Sequence, residues 1–147
     1  MKFKFDSAAP YIACFTVLRR GNTIACILRK NTNWMDGYWG LPAGKVEWGE
    51  PYTHGAVREA KEEAGVEVAL EDLRHLHTCH RHSDDTDWVD IYFEADKWQG
   101  QPYNAEEHKS ERLEWLDLNN LPENVVPSQR HALEQIAKGI VYSEFGW

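Results

Sequence analysis

One helix in the middle of the chain constrains the fold more than any other feature of the sequence. Residues 51–64 predict this helix, because Pro51 suits a first-turn position and Gly65 is placed to end the helix in a left-handed conformation. Small residues recur at every fourth position of the segment: Ala56, Ala60 and Ala64. A face of small side chains can lie close on a sheet, so the rest of the chain is expected to supply one.

Short apolar and β-branched segments on both sides of the helix predict that sheet. Residues 11–18 and 23–28 predict an antiparallel hairpin. Further strands are predicted over residues 39–41, 45–48, 73–78, 88–95 and 113–118. Residues 31–38 and 80–87 are polar and predict connections, whereas residues 127–137 predict a second amphipathic helix. Strands dominate the middle of the chain and helices flank them, so the expected fold class is α/β, an α/β/α sandwich with a central mixed β-sheet.

Length and charge narrow the classes of partner. The 147 residues fit a single domain over 1–147, and apolar residues at 42% are ordinary for a globular protein. The net charge of −8 makes a nucleic-acid polymer an unfavourable partner, since binding one usually relies on a basic surface. A phosphorylated small molecule would need local help in so negative a protein, and bound divalent cations can supply it.

Membrane insertion and export are not indicated by the sequence. No apolar run approaches the roughly 20 residues that span a bilayer. The first six residues lack the apolar stretch and cleavage site of a signal peptide. The cysteines are odd in number and form no C-x-x-C pair: Cys14, Cys26 and Cys79. Reduced thiols in a cytoplasmic protein are therefore expected.

The residues with the clearest chemistry lie on the central helix. Glu59, Glu62 and Glu63 stand at positions i, i+3 and i+4, so their carboxylates share one helical face. Three like charges so close repel one another, and helix stability gives no reason to cluster them. A hard cation such as Mg²⁺ resolves the repulsion, because it takes oxygen ligands and keeps waters and phosphate oxygens in its shell. A solvated acidic surface is the alternative interpretation.

Three residues close to this cluster extend the pattern. Gly44 sits where the chain turns toward the helix, and without a side chain it lets a backbone carbonyl approach the same metal. Arg58 points about 100° around the helix from Glu59, toward the segment that carries Glu50. An Arg58–Glu50 pair would pin the loop to the helix and orient the neighbouring carboxylates.

The stretch 44–66, GKVEWGEPYTHGAVREAKEEAGV, resembles the signature box of the Nudix (MutT-like) hydrolases. That box reads G-x5-E-x7-R-E-U-x-E-E-x-G-U, where U is a bulky aliphatic residue. Every fixed position is matched, and only Ala60 is small for its U position. The resemblance implies a Nudix fold over nearly the whole chain.

The resemblance also implies an activity and the residues that carry it. The chain would be a Mg²⁺-dependent hydrolase, with Mn²⁺ a possible substitute, that cuts a phosphoanhydride bond in a nucleoside diphosphate linked to another moiety. Water would substitute at phosphorus while metals stabilise the developing charge. The implied metal ligands are Gly44, Glu59, Glu62 and Glu63, with Glu59 also a candidate general base and Glu50 and Arg58 the supporting pair.

A segment beyond the box predicts one more acidic site residue. Residues 104–109, followed by Trp115, resemble the N-x-E-P-x-K stretch of Nudix enzymes that act on nucleoside triphosphates, with Glu107 in place of the proline. Glu106 is therefore expected as an extra metal ligand or base, with Glu107 in reserve. The same segment favours a nucleoside triphosphate as substrate, cut to the monophosphate and pyrophosphate. ADP-ribose or a nucleotide sugar is the alternative substrate, and a non-catalytic nucleotide-binding module is the alternative of another class.

Aromatic and basic residues outside the box predict contacts with a small-molecule nucleotide. Trp34, Tyr38 and Trp88 are candidates for stacking on a nucleobase, with core packing as the alternative for each. Arg29, at the end of the second strand, is a candidate for binding phosphates, with a surface role as the alternative.

Two features near the end of the chain leave their roles open. The histidines of residues 75–82 lie near Cys79 but lack the paired spacing of a zinc site, and Cys79 itself is expected to be a buried thiol. Residues 142–147 are aromatic at their end and would pack either on their own domain or on a partner in a homodimer.

Overall fold

The structure is a computed structural model that describes residues 9–147, and it contains eight strands and two α-helices in that range. The strands are β1 (Tyr11–Arg20), β2 (Thr23–Arg29), β3 (Trp39–Gly40), β4 (Ala43–Lys45), β5 (Arg74–Ser83), β6 (Thr86–Ala95), β7 (Ser110–Asp117) and β8 (Tyr142–Phe145). The helices are α1 (Tyr52–Ala64) and α2 (Pro127–Ala137), with a 3-10 turn at Leu70–Asp72. The first six residues, whose sequence predicts no signal peptide, lie outside the described residues.

The strands form the predicted mixed sheet, in the order β3-β2-β1-β6-β5-β8, with β4 paired to β1 and β7 to β2. Strand β1 runs parallel to β6 and antiparallel to β2 and β4. Strands β5 and β6 form an antiparallel hairpin, and β8 pairs in parallel with β5. The α/β fold class expected from the sequence is confirmed.

Alternate residues of β1 serve two separate cores. Phe15 and Val17 belong to the core that contains Leu133 of α2, whereas Cys14 packs with Ala56 of α1. Successive side chains of a strand point to opposite faces, so one strand can pack against both helices. The sheet therefore lies between the helices, as a sandwich requires.

The small-residue face of α1 lies on the sheet as predicted. Ala56, Ala60 and Ala64 are all fully buried. The Thr16 hydroxyl donates to the Ala56 carbonyl at 3.1 Å, which shows how closely β1 and the helix approach. Gly65 ends the helix at a φ of 68°, as predicted, but Pro51 precedes the helix in an extended conformation and is not in its first turn.

Two predicted boundaries are wrong, and pairing with neighbouring strands explains both. The short strand expected over 45–48 is β4, Ala43–Lys45, because this segment pairs with residues 13–15 of β1. The connection expected over 80–87 is mostly strand, since β5 and β6 pair as far as Ser83 and Thr86. Only Asp84 and Asp85 form the turn, with φ of 52° and 57°, the backbone that a tight hairpin requires.

The C-terminal segment left open by the sequence packs on its own chain. Strand β8 extends the sheet next to β5, and the Trp147 indole donates to the His80 carbonyl at 3.1 Å. Cys79 is a fully buried free thiol, as expected. Within residues 9–147, no helix is long and apolar enough to cross a membrane. The single domain, the cytoplasmic location and the homodimer stay predictions.

Candidate active site

A cleft of about 960 Å³ collects most of the predicted site residues. The glutamates of α1 line one side of it, together with Gly44 and Glu106. Arg29 lines it from the end of β2, Trp34 from the loop after β2, and Trp88 from β6. We call Glu59, Glu62, Glu63 and Glu106 the acidic wall, and Trp34, Arg81 and Trp88 the aromatic wall.

The predicted pair between Arg58 and Glu50 is present as a two-pronged ion pair. Arg58 Nε donates to Glu50 Oε2 at 2.8 Å, and Nη2 donates to Oε1 at 3.0 Å. Nη2 also donates to the Lys45 carbonyl at 3.1 Å, so one guanidinium joins β4, the following loop and α1. The hydrogen bonds from Arg58 are the main reason that the pKa of Glu50 lies below its usual value.

Arg58 also orders the carboxylates of the acidic wall. Its Nη1 donates to Glu59 Oε1 at 2.7 Å and to Glu62 Oε2 at 3.2 Å. Glu59 is only 8% exposed, and this burial raises its pKa to about 7 despite the hydrogen bond from Arg58. A buried carboxylate whose pKa lies near neutrality exchanges a proton at physiological pH.

Glu63 and Glu106 complete the acidic wall. Glu63 Oε2 accepts from the Ala43 amide at 3.1 Å, and burial, with repulsion from Glu59 and Glu106, raises its pKa to about 8. Glu106 lines the cleft, with Oε2 at 3.7 Å from Lys109 Nζ, whereas Glu107 is exposed and lies outside the cleft. Of the two candidates, the structure brings Glu106 to the acidic wall.

The acidic wall fits a hard divalent cation in donor chemistry, although its side chains are held apart. Among residues 9–147, no three His, Cys, Asp or Glu side chains converge closely enough to hold one ion. Hydrogen bonds to Arg58 and Ala43 occupy the carboxylates instead. A Cβ on Gly44 would overlap the Glu59 carboxylate, so the Gly44 backbone lies directly against it. Carboxylate oxygens and a backbone carbonyl oxygen are the donors that Mg²⁺ takes.

The predicted substrate contacts divide into three that line the cleft and one that does not. Arg29, Trp34 and Trp88 line it. Arg29 Cζ lies 5.0 Å from the centre of the Trp34 ring, and the Trp34 indole donates to Asp84 Oδ2 at 3.2 Å. Tyr38 lies outside the cleft, and its carbonyl accepts from the Arg29 amide at 3.0 Å. The structure therefore brings Tyr38 no contact with the cleft, and its role in substrate binding stays a prediction.

Two residues of the cleft region escaped the sequence prediction. Arg81 lines the cleft from β5, and its guanidinium binds the fully buried Asp90 of β6. The sequence places Arg81 in a polar connection, which gives its side chain no defined direction. The alternation of His77, Cys79 and Arg81 was the available signal, because residues two apart on one strand share a face.

The histidines of β5 have structural contacts in place of a zinc site. His77 is fully buried, and its Nδ1 lies 2.8 Å from the Ile140 carbonyl, to which it must donate. Nε2 lies 2.7 Å from Ser143 Oγ and, in the neutral ring, accepts from that hydroxyl. The His80 and His82 rings lie 4.7 and 5.0 Å from the Trp147 ring.

Comparison with curated proteins finds Nudix relatives. Over 70% of this chain, 33% of residues are identical to an uncharacterised Nudix hydrolase, YvcI, from Bacillus subtilis. Over 77% of this chain, 33% are identical to an ADP-ribose pyrophosphatase from Methanocaldococcus jannaschii. The matches span 66% and 65% of those two proteins, slightly less than two thirds of their length.

Solved structures and a family model agree with these relatives. A MutT NUDIX hydrolase from Burkholderia pseudomallei superposes with a TM-score of 0.79 at 33% identity, over 87% of this chain and 98% of that one. The E. coli ORF135 protein shares the fold, with a TM-score of 0.75 at 19% identity, over 92% of this chain and 94% of that one. The NUDIX domain model matches residues 9–136. This match and the relatives together show that the chain belongs to the Nudix (MutT-like) family.

Proposed function

We propose that this protein uses Mg²⁺ to hydrolyse a phosphoanhydride bond in a nucleoside diphosphate linked to another moiety. The observation that carries the proposal is a pair of glutamates at one side of a large cleft. Glu59 is buried against the bare backbone of Gly44, and Glu63 is half-buried and accepts from the Ala43 amide. Nudix hydrolases generally use a divalent metal ion and act on small-molecule nucleotides. The chemistry of such a site requires carboxylates that are close enough to repel one another without a cation.

Each residue of the acidic wall has a part in this proposal. Glu59, Glu62, Glu63 and Glu106, with the Gly44 carbonyl, would hold the metal. A divalent cation held there stabilises the charge that develops on the phosphate oxygens. Arg58 keeps Glu50 and the loop after β4 fixed against α1, so the carboxylates keep their directions.

Glu59 is the proposed general base. Its carboxylate lies at the wall of the cleft, where an ionised oxygen can take a proton from an attacking water. The oxygen of that water would bond to phosphorus as the bond to the bridging oxygen breaks. Glu59 would hold the proton, and the bridging oxygen would leave with the departing phosphate group.

A nucleoside triphosphate, cut to the monophosphate and pyrophosphate, is the proposed substrate. This choice of substrate is supported by residues 104–109, which resemble a stretch of Nudix enzymes that act on nucleoside triphosphates. Glu106 of this segment belongs to the acidic wall. Asn104 Nδ2 donates to the Ser110 carbonyl at 2.7 Å and so ties the ends of this segment together. Lys109 also lines the cleft beside Glu106, where its charge suits a polyphosphate.

ADP-ribose is the second candidate, because one relative at 33% identity is named an ADP-ribose pyrophosphatase. The two substrates present the same bond, a phosphoanhydride next to a nucleoside. They differ in the group attached to the second phosphorus atom, which is a phosphate in one and a sugar in the other. A non-catalytic binding module is less well supported, since no carboxylate of the box is missing.

A substrate panel tests the proposal. The protein would be assayed with Mg²⁺, and in parallel with Mn²⁺, against canonical, damaged and methylated triphosphates, ADP-ribose and nucleotide sugars, with products separated by chromatography. We expect turnover of a triphosphate with release of pyrophosphate. Turnover of ADP-ribose alone would move the assignment to the second candidate. Binding without turnover of any compound would establish the module and overturn the hydrolase.

A further inference from the structure

A buried ion pair lies beneath the aromatic wall. Arg81 is 5% exposed and Asp90 is fully buried. Arg81 Nε donates to Asp90 Oδ2 at 2.6 Å, and Nη2 donates to Oδ1 at 3.1 Å. Arg81 lies opposite Trp88 in the β5–β6 ladder, and Asp90 follows two residues later on the same face. The guanidinium is therefore fixed in both position and plane.

Stability alone does not explain this pair. Removing two charges from water costs about as much as their attraction returns, and apolar pairs of similar volume are often equally stable or more so. Burial raises the pKa of Asp90, and the contact with Arg81 opposes that shift. The pair holds one arginine rigidly at the wall of the cleft, which is the geometry that a ligand contact requires.

The remaining amino group of Arg81 is free to meet that ligand. Asp90 accepts from Nε and Nη2, and among the described residues no acceptor is hydrogen-bonded to Nη1. Its guanidinium carbon lies 4.7 Å from the centre of the Trp88 ring and 5.9 Å from that of Trp34. Because the guanidinium lies over both rings, a flat ligand beside it on the same face of either indole would have its edge next to an N–H donor. A guanidinium has no acceptor, so it distinguishes carbonyl edges from amino edges.

We propose that Arg81 determines base specificity, with Nη1 donating to a ring carbonyl of a nucleobase that stacks against Trp34 or Trp88. The protein then prefers nucleotides with an oxo group at that edge, as in hypoxanthine, guanine and uracil, over amino bases such as adenine and cytosine. Asp90 is the positioning residue for Arg81. This inference rests on the proposed function, because it requires a nucleotide in the cleft.

Matched pairs of nucleoside monophosphates test base recognition without hydrolysis. Inosine and adenosine monophosphates differ at position 6, oxo against amino, and uridine and cytidine monophosphates differ in the same way at position 4. Calorimetric titration with Mg²⁺ present is expected to show the oxo member binding about 10-fold more tightly, because only that member offers an acceptor to Nη1 at this edge. Equal affinities for the two members of both pairs would overturn the proposal, and so would no binding of any of the four.

Double variants separate recognition from folding. Arg81→Met with Asp90→Leu removes both charges together, and Arg81→Gln with Asp90→Asn keeps polar groups that can pair but shortens the donor. Either is expected to reduce the oxo preference to about twofold or less while changing adenosine monophosphate affinity little, because only the carbonyl contact is lost. A general loss of structure would weaken both members of each pair. A folded double variant that keeps the preference would overturn the proposal.

A control and an independent assay complete the test. Arg74→Met removes an exposed arginine of the same strand, which pairs with Glu94 away from the cleft, and should leave the preference unchanged. The substrate panel is scored separately. Oxo preference without turnover would overturn the proposed hydrolysis but not base reading, and turnover without preference would do the reverse.

Discussion

The acidic wall and the aromatic wall face the same cleft but are assembled in different ways. Three of the four carboxylates of the acidic wall come from consecutive turns of α1, so helical spacing alone places them together. The aromatic wall takes Trp34 from a loop, Arg81 from β5 and Trp88 from β6, and only pairing within the sheet brings the strands together. Spacing in the sequence therefore reveals the first wall, whereas the second wall depends on register.

The walls also differ in how their charges are balanced. Arg58 pairs with four carboxylates at once and leaves the acidic wall negative, which suits a cation and the phosphates bound to it. On the aromatic wall, a single buried carboxylate fixes a single arginine between two indoles. The acidic wall suits the phosphate end of a nucleotide, together with its cation. The aromatic wall suits the flat edge of the base at the other end.

Replacing Glu59 should have the largest effect, and it acts on the acidic wall alone. Glu59→Gln removes the proposed base, so kcat is expected to fall by about 10²–10⁴-fold. The fold should be almost unaffected, because the pKa of Glu59 is about 7 and the neutral form is already accessible. Steady-state kinetics and thermal unfolding measure the two effects.

The matched control for Glu59 is Glu67, an exposed glutamate just after α1 that pairs with Lys61. Glu67→Gln should leave kcat unchanged. If Glu59→Gln kept the full rate, the acidic wall would not carry the chemistry, and the contrast between the walls would lose its basis.

Arg58→Lys should have the next largest effect. Lysine keeps the positive charge but cannot hold Glu50 with two parallel bonds and reach Glu59 as well. Losing a residue that orients metal ligands typically costs about 10–100-fold in activity or metal affinity. We expect a loss of about that size in kcat, with more Mg²⁺ needed for half-maximal rate. Arg112→Lys, at an exposed arginine beside Glu114, is the control and should change neither quantity.

The same contrast explains what the sequence could predict. The Arg58–Glu50 pair and the C-terminal end of α1 follow from interactions between residues close in the sequence, and the structure shows both. The extent of β5 and β6 could not be predicted, because polar residues 80–87 look like a loop until Arg81 is paired across to Trp88. Strand β8 also depends on a distant partner, since it forms only against β5.

Lowering the pH should destabilise β5, the strand that carries Arg81 of the aromatic wall, before it destabilises the acidic wall. The residue responsible is His77, on the same strand. Neutral His77 ties β5 to Ile140 and Ser143, and burial lowers its pKa below 6.5, with His131 and His75 adding to the effect. The unfolded chain therefore binds a proton that the folded chain does not. The stabilisation is complete above about pH 6.5 and is lost as the pH falls below it, by at most about 1.4 kcal/mol per pH unit.

Denaturant titrations at about pH 7.5 and about pH 5.5 isolate this loss when the wild type is compared with His77→Gln, because Glu59 and Glu63, with their raised pKa values, add stability as the pH falls in both proteins. His77→Gln should be less stable than the wild type at the higher pH, and its change in stability between the two values should be about 1 kcal/mol more favourable than that of the wild type. His54→Gln, at an exposed histidine of α1, should follow the wild type. Equal changes between the two pH values in all three proteins would remove His77 as the acid-sensitive link.

The smallest expected effect tests whether the C-terminal segment supports the aromatic wall specifically. Trp147 packs on His80 and His82, the residues on either side of Arg81, and donates to the His80 carbonyl. Contacts of this kind are worth about 0.5–1.5 kcal/mol, so Trp147→Ala should raise KM for the nucleotide by at most about two- to tenfold and leave kcat unchanged. Trp48→Ala, at a fully exposed tryptophan, should leave KM near the wild-type value. A fall in kcat with KM unchanged would mean that the C-terminal segment acts on the carboxylates of the acidic wall. The two walls would then not respond independently to substitutions.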